Sequence, residues 1–514
     1  MTKLRATSKQ FPAFMNPHSR RLSSLALACS LALLLSGSSD AGTAPLELGS
    51  RRELFVDRFL TERLDHVRLK LHEPRDEGEV FRFDQPWEGA FCAYSTIIKD
   101  GALFRLYYRG KQENKPDGMG EVTCYAESPD GIHWTRPKLA VQVADGQVDR
   151  NIILTQAAVT HNFSPFLDTR PGVPAKERFK ALAGSLYKNP GGGLLALGSA
   201  DGIHWERLAP QAVITQGAFD SQNVAFWSES EHCYVAYFRT FTKGVTTATE
   251  WRPEGLRTVS RSTSPDYLHW SDAQVMQFEP PQTEQFYTSQ TQPYFRAPHL
   301  YIATAARFMA GRRGVTDEEA QRLQVVPSYY KNAKDASDSV LLTSRDGTTY
   351  QRTFREALVR PGLSSSQWVS RCGYPALNVV QTSPTEMSLY VNQDYAQPTS
   401  HLHRYTWRLD GFASIHADYD GGEFVTKPLR FTGHQLLLNF ATSAAGSIRV
   451  EIQDAAGKPL AGYSVNDCIE ILGNSLERTV AWKKGSDVSA QAGQTVRLRF
   501  VMKEADVFAL QFGE

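Results

Sequence analysis

Cysteine is scarce in this chain of 514 residues. There are six, at positions 29, 92, 124, 233, 372 and 468, and no two form a C-x-x-C pair. That spacing excludes a zinc ribbon or a disulfide scaffold, and it predicts mostly buried thiols with at most one disulfide. An excess of one charge is also lacking: 56 Lys and Arg stand against 55 Asp and Glu. Nothing in that balance would hold a phosphate backbone, so a nucleic-acid partner is not expected. Long apolar runs are absent but for one, Leu22 to Leu35, which follows Arg20 and Arg21 and leads into Gly42-Thr43-Ala44. Charged, apolar and small residues in that order read as a secretory signal peptide over residues 1–44, with Met15 a plausible start. The run is too short to span a bilayer comfortably, so no stable membrane insertion is expected. Removing residues 1–44 takes away Lys3, Arg5, Lys9, Arg20, Arg21 and Asp40, leaving a slightly acidic secreted or periplasmic chain. No nucleophilic serine elbow, phosphate loop or metal-ligand cluster is present.

What is abundant is aromatic. Nine Trp, 20 Tyr and 27 Phe bring the aromatic share to 11%, alongside 37 Gly and 26 Pro. Ring-bearing residues favour strands, and Gly and Pro favour the turns between them, so the composition reads as a large all-β protein. A heptapeptide repeats along it. Ser128-Pro129-Asp130-Gly131-Ile132-His133-Trp134 returns as Ser199-Ala200-Asp201-Gly202-Ile203-His204-Trp205 and as Ser264-Pro265-Asp266-Tyr267-Leu268-His269-Trp270. It returns again as Ser344-Arg345-Asp346-Gly347-Thr348-Thr349-Tyr350, and a degenerate fifth copy is Leu409-Asp410-Gly411-Phe412. Successive aspartates are 71, 65, 80 and 64 residues apart. The chemistry is that of a turn: Asp accepts backbone N–H groups, Gly supplies a positive φ and Trp anchors the next strand. His133, His204 and His269 are equivalent points of the repeat, hence on separate blades, and are read as structural.

Each repeat also carries paired strands, such as Ser95–Ile98 with Leu103–Tyr108, and Asn223–Trp227 with Tyr234–Phe238. Four short strands per repeat, five times over, predict a five-bladed β-propeller across residues 45–414. After Phe412 the period stops. Alternating strands at Gln435–Phe440, Ser447–Ile452 and Thr495–Phe500 predict a C-terminal β-sandwich across residues 415–514. Thr316 followed by Glu319 forms a capping box that opens a short helical insertion, either a lid or a surface excursion.

An exported five-bladed propeller with S-x-D-G-x-x-W turns and a C-terminal β-sandwich resembles glycoside hydrolase family 32 and its relatives in family 43. The resemblance implies a glycosidase that acts on an oligo- or polysaccharide, with acids at the starts of innermost strands in blades one, two and three. The family 32 motifs N-D-P-N-G and E-C-P are absent from this sequence. The resemblance requires no cofactor; a structural calcium ion in the channel stays compatible with it, and no metal ligands are assigned.

In a propeller blade the start of the first strand and the end of the second meet at one mouth. Glu88 in blade one and Asp220 in blade three fit the carboxylate pair that glycoside hydrolysis needs, with Glu284 in reserve. The equivalent slot in blade two carries His161 and Asn162 instead of an acid. With Gln222, Gln292 and Tyr374 they are candidates to hold sugar hydroxyls. Arg109, Arg239 and Arg307 end the second strands of blades one, three and four, and Arg371 joins them from blade five. Guanidinium forks bind carboxylate or sulfate in a bidentate way, so the sugar is expected to be anionic. The same residues keep two alternatives open. One is a lyase that removes a proton beside a uronic carboxylate, using His161 and Tyr374; the other is a glycan-binding propeller without chemistry. Sialidases also combine an arginine cluster with aspartate-box turns, although they usually have six blades. His401 and His403 share a strand face, but a metal pair there is not expected.

Overall fold

The computed structural model describes residues 44–513 apart from 112–119, 140, 142–149, 185–191, 248–249 and 332–333. The expected signal peptide therefore lies outside the described residues. Strands built from alternating aromatic and β-branched residues pair into five antiparallel sheets. Blade one runs Ala93–Asp100, Leu103–Lys111, Glu121–Ser128 and Ile152–Leu154. Blade two runs Ser164–Leu167, Phe179–Ala183, Leu195–Ser199 and Glu206–Arg207, and blade three Val224–Ser228, Cys233–Thr246, Trp251–Ser264 and Gln274–Val275. In blade four Thr291–Tyr294 pairs with Ala297–Ala310, which pairs with Asp335–Ser344 and then Thr349–Gln351. The first strand of each blade is innermost. Blade one closes on blade five there, where Ile97 N–H donates to Leu377 O at 3.0 Å and Leu377 N–H to Ser95 O at 2.8 Å.

Blade five is completed from the other end of the chain. Tyr374–Pro375 and Val380–Gln381 pair with Glu386–Gln393, which pairs with His401–Arg408. Its fourth strand is Arg75–Arg82, so the ring is shut by hydrogen bonds between distant segments rather than by a covalent link. The expected start of the propeller at residue 45 is corrected by this topology. Leu46–Gly49, Glu53–Leu54, Thr61–Asp65 and Val67–Leu71 all pair with C-terminal strands, between Ala413 and Gly513. The chain begins in the sandwich, crosses to close blade five, and only then builds blade one. The sandwich core packs Trp482, Ile448, Val450 and Leu498 with stacked rings, Phe424 on Phe500 and Phe431 on Phe512.

The heptapeptides form the turns expected of them. In blade one Asp130 Oδ1 accepts Ile132 N–H at 2.8 Å and His133 N–H at 2.9 Å, while Ser128 Oγ accepts Gly131 N–H at 2.9 Å. Gly131 has φ 75°, which L-residues adopt at a penalty. His133, His204 and His269 each bond the aspartate of their own turn at 2.7 Å, which gives them a structural role. The fifth copy differs: Asp410 is buried against Arg52 and Arg296 and caps no such turn. All five described cysteines are free, four of them buried.

The insertion is docked. Thr316 accepts from Glu319 N–H and Glu319 reaches back to Thr316 N–H, capping Asp317–Arg322; a second turn of helix, Pro327–Tyr330, follows. Val326 N–H donates to Ala396 O at 2.9 Å, and the Tyr329 ring packs 5.7 Å from Phe91 and 5.4 Å from Tyr395. The insertion thus covers one side of a channel mouth.

Candidate active site at one mouth of the propeller

Asp220 precedes the innermost strand of blade three, and His161 precedes that of blade two. His161 Nε2 lies 2.8 Å from Asp220 Oδ1, and its Nδ1 lies 3.1 Å from Glu121 Oε2 at the start of the third strand of blade one. Both ring nitrogens thus face carboxylate oxygens. Arg109 flanks this relay. It donates to Phe91 O at 3.0 Å and to Tyr395 OH at 3.1 Å, and it stacks 4.8 Å from the Tyr94 ring centroid. Asp220 Oδ2 stands 4.0 Å from Arg239. Burial works against the Asp220 charge, but the His161 hydrogen bond and the Arg239 and Arg371 charges outweigh it and hold the carboxyl well below the usual carboxylate range. Its side chain is 49% exposed, so an ionised oxygen faces the recess.

A second acid was missed by sequence reasoning. Asp335 opens the third strand of blade four and bonds the Ser370 hydroxyl. Burial pushes its carboxyl up, with Ser370, Arg371 and Arg257 pulling only partly the other way. Arg371 therefore acts on both Asp220 and Asp335. Glu121 and Arg257 were missed as well, because all three lie on third strands. Glu121 and Asp335 sit at third-strand starts opposite second-strand ends, Glu121 paired with Lys111 and Asp335 with Ala310, whereas Arg257 lies inside the third strand of blade three, paired with Phe241 two residues beyond Arg239. An antiparallel register count would have found them. Tyrosines complete the lining. Arg239, Arg257 and Arg371 lie 4.7, 5.7 and 5.3 Å from the Tyr287 centroid, and the Tyr374 ring lies 5.3 Å from Tyr287. Burial holds the Tyr94 and Tyr374 phenols protonated far above neutral pH.

The other candidates are placed elsewhere. The Glu88 carbonyl accepts Lys111 N–H at 2.7 Å, but its side chain is wholly buried in the packing behind. Its carboxylate accepts Arg136 Nε at 2.8 Å, Arg136 Nη2 at 2.9 Å, Gln85 N–H at 2.9 Å and the Tyr108 hydroxyl. Glu284 and Arg307 join a closed ion cluster on blade four. Arg307 forks onto Asp338 at 2.7 and 2.5 Å, and Glu284 takes Arg352 Nε at 2.8 Å. Asn162 ties blade two to blade three, donating to Gly184 O at 2.8 Å and Ser221 O at 3.0 Å. Gln222 crosses the axis. It donates to Thr96 Oγ1 at 2.9 Å and accepts from Gln290 at 2.6 Å, while Gln290 also donates to Pro375 O at 2.7 Å. Gln292 lines a separate aromatic cavity of about 420 Å³, with Phe166, Trp227 and Phe295, at the far ends of the inner strands. His403 bonds Asp76 on the closing strand, with His401 Nε2 3.3 Å from its Nδ1. Among the described residues, no group of three or more His, Cys, Asp or Glu side chains could hold a metal ion, and no helix is long and apolar enough to cross a membrane.

The mouth therefore combines an ionised carboxylate, a second acid held toward its protonated form, and three arginines around one tyrosine. Neither a protein-family profile nor a curated relative matches the sequence. Solved structures share its outline at low identity. A glycoside hydrolase is 11% identical over 65% of this chain and 92% of its own, with a TM-score of 0.42. An N-acetylgalactosamine deacetylase from F. plautii in complex with blood group B trisaccharide is 11% identical over 68% and 97%, with a TM-score of 0.44. The β-1,2-mannobiose phosphorylase of Listeria innocua in complex with β-1,2-mannobiose is 11% identical over 70% and 98%, with a TM-score of 0.40. At TM-scores below 0.5 these likenesses decide nothing about the chemistry of this chain, which rests on its own side chains.

Proposed function

We propose that this protein is an exported carbohydrate-active enzyme that hydrolyses a glycosidic bond at the Asp220 mouth. One observation carries the reading: the Asp220 carboxylate, bonded through one oxygen to His161 and half exposed, faces the same Arg371 charge as the more buried Asp335, and their surroundings push the two pKa values in opposite directions. A glycosidase needs that division, an acid to protonate the leaving oxygen and an ionised partner to attack or to activate water. Asp335 takes the first role and Asp220 the second, through its Oδ2, since Oδ1 is tied to His161. His161 and Glu121 are positioning residues for that carboxylate. The acid protonates the departing glycosidic oxygen as the bond to the anomeric carbon breaks, and water supplies the hydroxyl that replaces it. The five blades, the S-x-D-G-x-x-W turns and the C-terminal sandwich support kinship with families 32 and 43. A second carboxylate from blade four in place of blade one would set this chain apart from them.

Elimination is less well served. Both ring nitrogens of His161 face carboxylates, and the Tyr94 and Tyr374 phenols hold their protons too firmly to serve as bases near neutral pH. The test is a panel of oligo- and polysaccharides incubated with the protein, reading new reducing ends and near-ultraviolet absorbance together. Reducing ends without absorbance, lost in Asp220→Asn, are expected. Absorbance would establish a lyase, and binding without any product would establish a glycan-binding propeller.

A further inference from the structure

The arginines of this molecule divide into two kinds. Arg136, Arg307 and Arg345 end on carboxylates at 2.9 Å or closer. The three around Tyr287 do not. The Arg371 side chain makes no hydrogen bond or ion pair with any described residue; it meets only the ring faces of Tyr287 and Tyr329, and its buried Nε has no partner. Arg257 gives one bond to Gln285 Oε1 at 2.7 Å, and its buried Nε also lacks a partner. Arg239 donates to Ala218 O at 3.1 Å and reaches Asp220 only at 4.0 Å. The Tyr374 hydroxyl, on the ring packed against Tyr287, is likewise buried without a partner.

Three guanidinium groups crowd against one another here. Burial lowers the Arg257 pKa, and the neighbouring Arg239 and Arg371 charges lower it further. The nearby acids relieve them only in part: Asp220 Oδ1 is bonded to His161 and Oδ2 comes no closer than 4.0 Å to Arg239, while Asp335 is held toward its neutral form. Arg371 also sits at φ 64°, a left-handed conformation that strains a bulky residue. Three cations facing one ionised carboxylate, unmet donors and stored strain in one sector are the marks of a site that an anion completes.

We propose that the sector formed by Arg239, Arg257 and Arg371, with Tyr374, binds an oxyanion carried by the sugar, a carboxylate or a sulfate ester. The substrate is then an acidic glycan rather than a neutral one. The sugar rests on the hydrolase reading above; the anion does not.

The experiment is calorimetry on the whole exported chain at low salt, with D-glucuronate, D-glucose 6-sulfate and D-glucose as probes. At least one anionic sugar should bind tenfold or more tightly than glucose, and which one does so identifies the oxyanion. Arg371→Gln should erase that preference, and Arg307→Gln, whose guanidinium is already paired, should keep it. If Arg371→Gln does not fold, Arg257→Gln is read in the same way. Equal binding of all three sugars, no binding of either anionic sugar, or an unchanged preference in the folded variant would overturn the inference. Hydrolysis of neutral and acidic glycans at equal rates would sink this inference and leave the hydrolase reading standing. An intact anion preference without hydrolysis of any glycan would do the reverse.

Discussion

Glu88 and Asp220 both stand at blade edges beside an arginine, yet their surroundings do opposite things. Around Glu88 every group is answered: Arg136 with two N–H groups, the Tyr108 hydroxyl and the Gln85 N–H converge on a carboxylate that water does not reach. Around Asp220 one oxygen is fixed by His161 and the other is left facing a recess lined by cations. The first arrangement holds blade one to the closing strand, since Arg136 also donates to Arg82 O and stacks on Phe81. The second holds a charge ready for something that is not protein. On the proposed reading, what separates the structural acid from the reactive one is the unpaired remainder, not the residue type or its position in the repeat.

The comparison can be sharpened by removing one side at a time. Glu88→Gln leaves Arg136 with only the exposed Asp84 carboxylate, 3.4 Å away, as counter-charge, and stability should fall by about 3 kcal/mol, read as a lower urea midpoint. Turnover per folded molecule should stay near that of the parent; a large drop would put Glu88 back in the chemistry. Asp335→Asn should lower kcat on the order of 100-fold with little change in melting temperature, as expected for loss of a general acid. The sign of its pH dependence follows from its raised pKa. Asp335 must carry its proton, so activity should fall as pH rises through that pKa, and this limb should vanish in Asp335→Asn. Asp220, held low, should stay ionised and set a limit only in strong acid. A parent profile without a basic limb would remove Asp335 from the acid role.

The turn aspartates give a smaller effect at a third kind of site. Asp201→Ala removes the bonds to Ile203 N–H and His204 N–H and should cost about 1 kcal/mol, without any effect on catalysis. In Asp130, Asp201 and Asp266 burial acts against the charge, but the histidine and backbone hydrogen bonds prevail and lower the pKa. Their stabilisation is therefore present above the ordinary carboxylate pKa near 4 and is lost as pH falls below it. A urea midpoint that held steady from pH 6 to pH 3 would contradict this.

The ring of five was legible because each blade repeats a local turn, and a turn is written in seven consecutive residues. His161, Asp220, Arg239 and Arg371 were legible because they flank strands whose order in the blade follows from the repeat. Asp335, Glu121 and Arg257 were not, because they stand on third strands and reach the mouth only through their pairing with the second. The fate of Glu88 was settled by Arg136, 48 residues away, and by the closing strand Arg75–Arg82, whose partner lies more than 300 residues on. The same is true of Leu46–Leu71, which pairs only with the far end of the chain. Contacts of that sequence separation leave no local periodicity to read.

The most direct test of the central claim is to measure turnover and the thermal midpoint of Asp220→Asn beside those of the parent on a glycan that the parent cleaves. The account predicts a fall in kcat on the order of 1,000-fold with the midpoint nearly unchanged, because Asp220 Oδ2 serves the reaction and not the fold. Parent-like turnover in Asp220→Asn would contradict it and move the reactive carboxylate elsewhere in the ring.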